Sequence, residues 1–318
     1  MELSNKKIDE IIWSLKKTNI KISRPCWNEL YEECFKINQD EFIERVKMIR
    51  SYISQLKILR QIPYVEQGSD EWFQMRKSML TASDTMRAMK KDSNLIRQKS
   101  LQIVRHIKSD ALTWGKNFEP IAQNIYSSEY NNIKIYEFGC IRSYDPELPF
   151  YGASPDGITS TGIMLEIKCP KSRKIKSNHI TPDYYAQVQG QMAVCCLNEC
   201  DFSEFEFVKM DIDSFLRIDT EQTKYFGAFL KNINNEDKVD YYTPLSITPL
   251  ECYLNIQTKN PNNLKKVVYW KLNKHQIQRI YFNKKEWEYE YKPKILEFWD
   301  CVQKYDENEI YGFGSDSD

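Results

Sequence analysis

The sequence predicts an α/β fold in which a central mixed β-sheet is flanked by helices. Three patterns carry that expectation. Met164-Leu165-Glu166-Ile167-Lys168-Cys169 is apolar and β-branched enough for a strand, Phe205 to Met210 alternates in period two, and apolar residues at helical spacing mark 72–76, 121–126 and 184–194. At 318 residues, 41% of them hydrophobic, the chain can bury one sizeable core and a small appended unit.

From the N-terminus, Ile8, Ile11, Ile12 and Leu15, then Trp27, Leu30, Tyr31 and Cys34, then Phe42, Val46, Ile49 and Ile53 repeat at helical spacing, with breaks at Arg24-Pro25 and Asn38 to Asp40. Residues 1–62 therefore read as a three-helix N-terminal extension. Ser69 to Arg76 suits an amphipathic helix carrying Trp72, Phe73 and Arg76, and in the turn that follows Thr81 or Ser83 is placed to cap the next helix. Trp114 to Pro120 reads as the opening of a helix through Ile121, Ala122 and Ile125 to Tyr126, so Glu119 is expected near a helix start. Gly157 to Gly162 is a tight connection that folds the Asp156 segment back beside the 164–169 strand. Tyr184 to Val194 is a helix on which Gln187 and Gln191 share a face. Beyond the 205–210 strand, a helix is expected over Thr220 to Leu230, a strand over Lys265 to Leu272 and a long helix from about Lys274 to Tyr305. Residues 306–318 form an acidic tail.

The residues that carry chemistry stand around the predicted hairpin. Ser154-Pro155-Asp156-Gly157 is followed by Glu166-Ile167-Lys168, and alternation along a strand sends Glu166 and Lys168 to one face and Leu165 and Ile167 to the other. With Asp156 folded alongside, two carboxylates converge. Their oxygens suit a hard cation such as Mg²⁺ or Mn²⁺, on which water becomes a nucleophile near neutral pH, while Lys168 orients that water and offsets charge on a phosphate. Taken alone, the spacing also describes a surface hairpin with a solvated Glu and Lys.

The order of motifs from Ser69 to Met192 resembles the phage lambda exonuclease and YqaJ-type viral recombinase family, within the PD-(D/E)xK nuclease superfamily. The resemblance implies a restriction-endonuclease-like core, here assigned to residues 63–305. It makes Asp156, Glu166, Glu119 and the carbonyl of Ile167 the ligands of two Mg²⁺ (or Mn²⁺) ions, Lys168 the catalytic lysine, and Gln187 and Tyr184 the residues beside the site. Arg76, Ser83 and Ser154 match a grip on a terminal phosphate. Each has a plainer reading: Glu119 favouring a helix dipole, Arg76 solvated, Ser83 a helix cap, and Gln187 supporting Gln191 on an exposed face.

The implied activity is a Mg²⁺-dependent deoxyribonuclease, a 5′→3′ exonuclease on double-stranded DNA ends, in viral or phage recombination or genome processing. A single-strand annealing protein and a homo-oligomer are the implied partners, although relatives also work as monomers. An endonuclease cutting DNA and RNA shares these motifs. A non-catalytic DNA-end-binding protein with a relic core is the contrasting class, and intact Asp156, Glu166 and Lys168 argue against it. On this reading the N-terminal extension braces the core, contacts DNA or binds a partner.

Zero net charge conceals a gradient: residues 1–60 carry +3, residues 61–180 carry +4 and residues 181–318 carry −7. The basic share accompanies the motifs. Lys171, Arg173, Lys174 and Lys176 leave the active strand directly, either to line a channel for a phosphate backbone or as a solvated loop. Nine cysteines without regular spacing read as free thiols in a reducing compartment. Cys195, Cys196 and Cys200 lack the pattern of an iron–sulfur site, and His106, His179 and His275 lack that of a zinc site. With no signal-peptide core and no long apolar run, an intracellular protein, cytoplasmic or nuclear, is expected, with no membrane partner.

Overall fold

The computed structural model describes residues 39–103, 109–130, 132–232, 239–242, 247–262 and 265–305. The first two helices expected within residues 1–38, the tail over 306–318 and His106 lie outside these. The third helix of the extension is present as α1 (Gln39–Leu59).

Two sheets organise the described chain. A small one has the order β1-β4-β3, with β1 (Leu80–Thr81) parallel to β4 (Tyr151–Ala153) and β3 (Ile141–Arg142) antiparallel to β4. A larger mixed sheet has the order β2-β5-β6-β7-β10-β8-β9. Its strands are β2 (Ile135–Tyr136), β5 (Gly157–Thr159), β6 (Met164–Lys168), β7 (Glu199–Met210), β8 (Phe226–Asn232), β9 (Val239–Tyr242) and β10 (Lys265–Tyr281). Only the β6–β7 pair is parallel there. Ser154 and Pro155 carry the chain from the small sheet to the large one.

Helices cover both faces. Leu165 and Ile167 of β6 and Phe205 and Phe207 of β7 bury against Trp114, Phe118, Ile121 and Ile125, the apolar stripe of one long helix. Met164 and Phe202 bury with Ala186, Val188 and Met192 of a second helix, and Ile49, Tyr52, Leu56 and Leu59 of α1 join that same core. An aliphatic or aromatic side chain fully buried in this way contributes about 1.5–3 kcal/mol, so the described part of the extension is packed into the fold.

Several elements differ from the sequence reading. The stretch expected to begin a long helix at Lys274 instead continues β10 to Tyr281, paired with β7 along its whole length. The register shifts between Leu272 and Lys274, so the alternation before Asn273 is out of phase with the alternation after it and hides the strand period. Helical structure starts only at Lys284 and passes through a π-helical turn, Trp287–Tyr291, into the last helix, Lys292–Gln303. The expected helix over Thr220 to Leu230 is instead a turn and irregular chain leading into β8 at Phe226. Phe226, Ala228 and Leu230 enter one apolar cluster and Phe229 enters another, the two-sided burial of a strand.

Thr81 and Ser83 do not cap. The 3₁₀ turn at Ala82–Asp84 and the short helix Thr85–Met89 start without a side-chain cap, because Thr81 Oγ1 is engaged elsewhere. No helix among the described residues is long and apolar enough to cross a membrane.

Candidate active site

Gly162 closes the β5–β6 hairpin at φ +82°, and a Cβ there would meet Tyr52 Cβ of α1 at 2.5 Å. Glycine is therefore required both by the turn and by the helix packed on it. The hairpin register sets Gly157 opposite Leu165, which brings Asp156 against the Glu166–Lys168 segment as expected. Asp156 Oδ2 accepts the Ile167 N–H at 2.6 Å. Glu166 is 1% exposed and fully engaged: Oε1 accepts from Lys168 Nζ and from Gln187 Nε2 at 2.7 Å, and Oε2 accepts from Gln191 Nε2 at 2.8 Å.

Both glutamines lie on the helix Pro182–Cys195, started by the Thr181 cap. Instead of supporting each other on an exposed face, they converge on one buried carboxylate. The Tyr184 ring, one turn earlier, lies 5.0 Å from Lys168 Nζ and 5.7 Å from the Arg173 guanidinium carbon.

Glu119 arrives from the opposite face. Its helix runs from Asp110 to Glu129 behind a Ser109 cap, so Glu119 sits mid-helix and not at its start. Pro120 was the misleading signal: it occupies an interior position, and Ser109-Asp110 was the cap signature to read. One turn on, Gln123 Nε2 donates to the Asp156 carbonyl at 3.3 Å. Gln123 was not singled out from the sequence, and Gln191 was read only as the helical neighbour of Gln187. Their spacing of four residues from Glu119 and Gln187 is the signal that marks them.

The electrostatics show a site overloaded with negative charge. Burial, then the charges of Glu166 and Glu119, push the Asp156 carboxyl well above the usual carboxylate range. Burial and Glu166 raise Glu119 to about 7. Burial opposes the Lys168 charge, but Glu166 and Asp156 outweigh it and hold the ammonium protonated. Carboxylates that raise one another in this way lack cationic charge. An all-oxygen donor set of Asp156, Glu166 and Glu119 fits a hard divalent cation. Among the described residues no group of three His, Cys, Asp or Glu is already closed into a metal-holding arrangement. Glu166 and Asp156 direct their oxygens to Lys168, Gln187, Gln191 and the Ile167 N–H.

A second cluster gathers the residues expected to hold phosphate. Arg76, on the helix Asp70–Lys77, lies 4.2 Å over the Trp72 ring and donates to Thr81 Oγ1 at 3.0 Å, and Thr81 Oγ1 is 3.0 Å from Ser83 Oγ. Burial lowers the Arg76 pKa. Ser154 Oγ is buried without a well-formed hydrogen bond, beside the Cys140 thiol. Thr81 pairs with Gly152, and Ser154 lies two residues before Asp156, at most about 7 Å along the chain. The two clusters are thus neighbours.

The basic run is less free than a backbone channel requires. Arg173 binds Glu204 at 2.5 Å, Lys174 binds Glu206 at 2.8 Å, and Lys171 is tied to Asp110 at 2.8 Å, away from the carboxylates. A groove of about 210 Å³ nevertheless runs along these three, with Trp114 and Lys209 on its other wall. The seven cysteines among the described residues are all free, as expected.

The chain is 26% identical, over 306 aligned residues, to an uncharacterized protein of Acanthamoeba polyphaga mimivirus; the match covers 79% of this chain and 55% of that protein. It thus spans about half the length of that relative. Among solved structures, an alkaline exonuclease (LHK-Exo) from Laribacter hongkongensis, also crystallised with dAMP, aligns with a TM-score of 0.48 at 21% identity, covering 76% of this chain and 95% of that one. A phage-related exonuclease from Haemophilus somnus aligns with a TM-score of 0.40 at 11% identity, covering 74% and 96%. Residues 71–198, which hold every side chain of both clusters, match the model of the YqaJ-like viral recombinase domain.

Proposed function

We propose that the chain is a divalent-metal-dependent nuclease, and that it acts as a 5′→3′ exonuclease on double-stranded DNA ends. The observation that carries this reading is the convergence of Asp156, Glu166 and Lys168 on one buried hairpin, with the like-charged Glu119 beside them. Asp156, Glu166, Glu119 and the Ile167 carbonyl would hold the cation, Mg²⁺ or Mn²⁺. Bound there, it supplies Lewis-acid activation of water and neutralises charge on the phosphate.

The chain's own residues divide the remaining work. Lys168, kept protonated by its carboxylate neighbours, places a positive charge where negative charge develops on the phosphodiester. Gln187 and Gln191 fix the Glu166 carboxylate, and Gln123 fixes the Asp156 backbone. A ligand oriented in this way keeps its geometry without reorganising during the reaction. Arg76, Ser83 and Ser154 would anchor a phosphate close by and so set which bond reaches the carboxylates. The Tyr184 ring face, 5.0 Å from Lys168 Nζ, helps hold that head group.

The test is digestion with Mg²⁺ or with chelator, comparing a linear duplex with a covalently closed circle. Mg²⁺-dependent shortening of the linear duplex from its 5′ ends, with the circle intact, is the expected result. Rapid cutting of the closed circle would replace the exonuclease reading with an endonuclease. No cleavage of either would remove the nuclease reading.

A further inference from the structure

Beyond the carboxylate hairpin, three lysines from three strands share one face of the large sheet. In β7, Phe205 and Phe207 bury against the Asp110–Glu129 helix, so alternation puts Lys209 on that same face. Phe229 of β8 and Val268 and Trp270 of β10 join the same cluster, which places Lys231 and Lys266 there too. The register sets Lys266 directly opposite Lys231. Like charges opposed across two strands cost stability, and among the described residues Lys209, Lys231 and Lys266 make no ion pair with an acid. Lys171 joins them through its ion pair with Asp110, the first residue of the helix. Burial, then Lys231, Lys266 and Lys171, lower the Lys209 pKa, and Asp110 acts the other way. Four lysines thus gather around one exposed acid. The groove of about 210 Å³ opens on this cluster, lined by Trp114, Lys171, Arg173 and Lys209. Trp114 is 9% exposed, Lys209 Nζ lies 5.0 Å from its ring, and its indole Nε1 is buried without a hydrogen-bond partner. An unused donor beside crowded cations calls for an acceptor that carries negative charge.

We propose that this lysine face holds the phosphate backbone of duplex DNA on its way to the carboxylates, with Lys209, Lys231 and Lys266 as the contact residues. The proposal rests on the nuclease reading for its setting but not for its test. Trp114 and Asp110 stand five and nine residues before Glu119 on one helix, about 7.5 and 13.5 Å of rise. Phosphates along one strand repeat about every 3.4 Å, so the face meets the duplex about two to four base pairs from the reacting bond. The cations that the sequence marked are engaged already: Lys171, Arg173 and Lys174 are held by Asp110, Glu204 and Glu206. Lys209, Lys231 and Lys266 lie outside residues 71–198, and only the pairing of β7, β8 and β10 brings them together. The plainer role for three such lysines is to keep a sheet face solvated, which does not require them to crowd.

Binding of a fluorescent linear duplex to the full chain, measured by anisotropy in chelator over a range of salt concentrations, separates these roles without cleavage. Each phosphate contact contributes about 0.9 to the slope of log affinity against log salt. Lys209→Gln/Lys231→Gln/Lys266→Gln is expected to lower that slope by about 2 to 3 and to unfold at no lower temperature than the wild type. Lys266→Gln alone should lower it by about 0.9, and the three arginine substitutions should keep it. The control is Lys284→Gln/Lys285→Gln/Lys294→Gln, the same loss of charge at exposed residues of the last helices, and it should leave the slope intact. With Mg²⁺, the ridge variant should raise KM about tenfold with kcat little changed. An unchanged slope in the ridge variant, an equal fall in the control, or a wild type that does not bind the duplex overturns the proposal. Binding that depends on the ridge in a protein without nuclease activity removes the nuclease reading alone.

Discussion

On β7, Glu199 and Asp201 meet Arg45 of α1 and Arg279 of β10, with Tyr52, Tyr126 and Tyr130 donating to the same carboxylates. One strand away, Lys168 is the cation that Asp156, Glu166 and Glu119 share among the described residues, with Lys116 acting on Glu119 alone. The register pairs Leu165 with Asp201 and Glu166 with Phe202, so the two acidic groups emerge on opposite faces of the same sheet. Both are buried, yet they answer burial in opposite ways. Despite desolvation, the arginines hold Glu199 and Asp201 below the usual carboxylate range, whereas Asp156 and Glu119 are pushed above it. Two acids with two arginines are complete in themselves and hold α1 to the sheet. Three acids with one shared lysine are incomplete. A charge balance closed by the protein marks structure, and one left open marks a place for a ligand.

The largest effect that tests this contrast is on the incomplete side. Lys168→Ala is expected to reduce Mg²⁺-dependent cleavage about a thousandfold. Cleavage within a few fold of wild type would remove Lys168 from the site. On the complete side, Arg45→Met strands part of the Glu199 charge and is expected to cost about 3–5 kcal/mol in urea unfolding. A neutral result would mean that Arg279 alone satisfies Glu199.

Gln191→Leu probes the boundary between the two kinds of residue. It frees one oxygen of Glu166, and a loss of about 10- to 100-fold in metal affinity or rate is expected. The smallest effect is a pH dependence. Between its ordinary 4.5 and about 7, Glu119 binds more protons folded than unfolded. Its contribution to the stability of the metal-free protein is therefore present at low pH and lost as pH rises through 7. A metal ion competes with the same proton, so Mg²⁺ affinity measured by calorimetry should rise by at most about tenfold per pH unit up to 7 and then level off. Affinity flat from pH 5.5 to 8 would exclude Glu119 as a ligand.

Much of the site was legible because its parts are local. Asp156, Glu166 and Lys168 lie on one hairpin, where a turn glycine and the alternation of a strand dictate which side chains meet. The glutamine pair was visible as a helical spacing, although its target was not. The fold was less legible where packing overrode local pattern. The bulge near Asn273 broke the period of β10, and a proline inside the Asp110–Glu129 helix imitated a helix start.

By itself, then, the sequence determined the α/β class and which acidic and basic side chains share the hairpin, since both follow from short-range periodicity and residue chemistry. The tertiary structure decided charge balance. Whether an acid is raised or lowered depends on which cations long-range pairing brings beside it: Arg45 and Arg279 reach Glu199 across 154 and 80 residues. Such distances carry no periodic signal, because burial and Coulomb energy depend on separation in space and not along the chain.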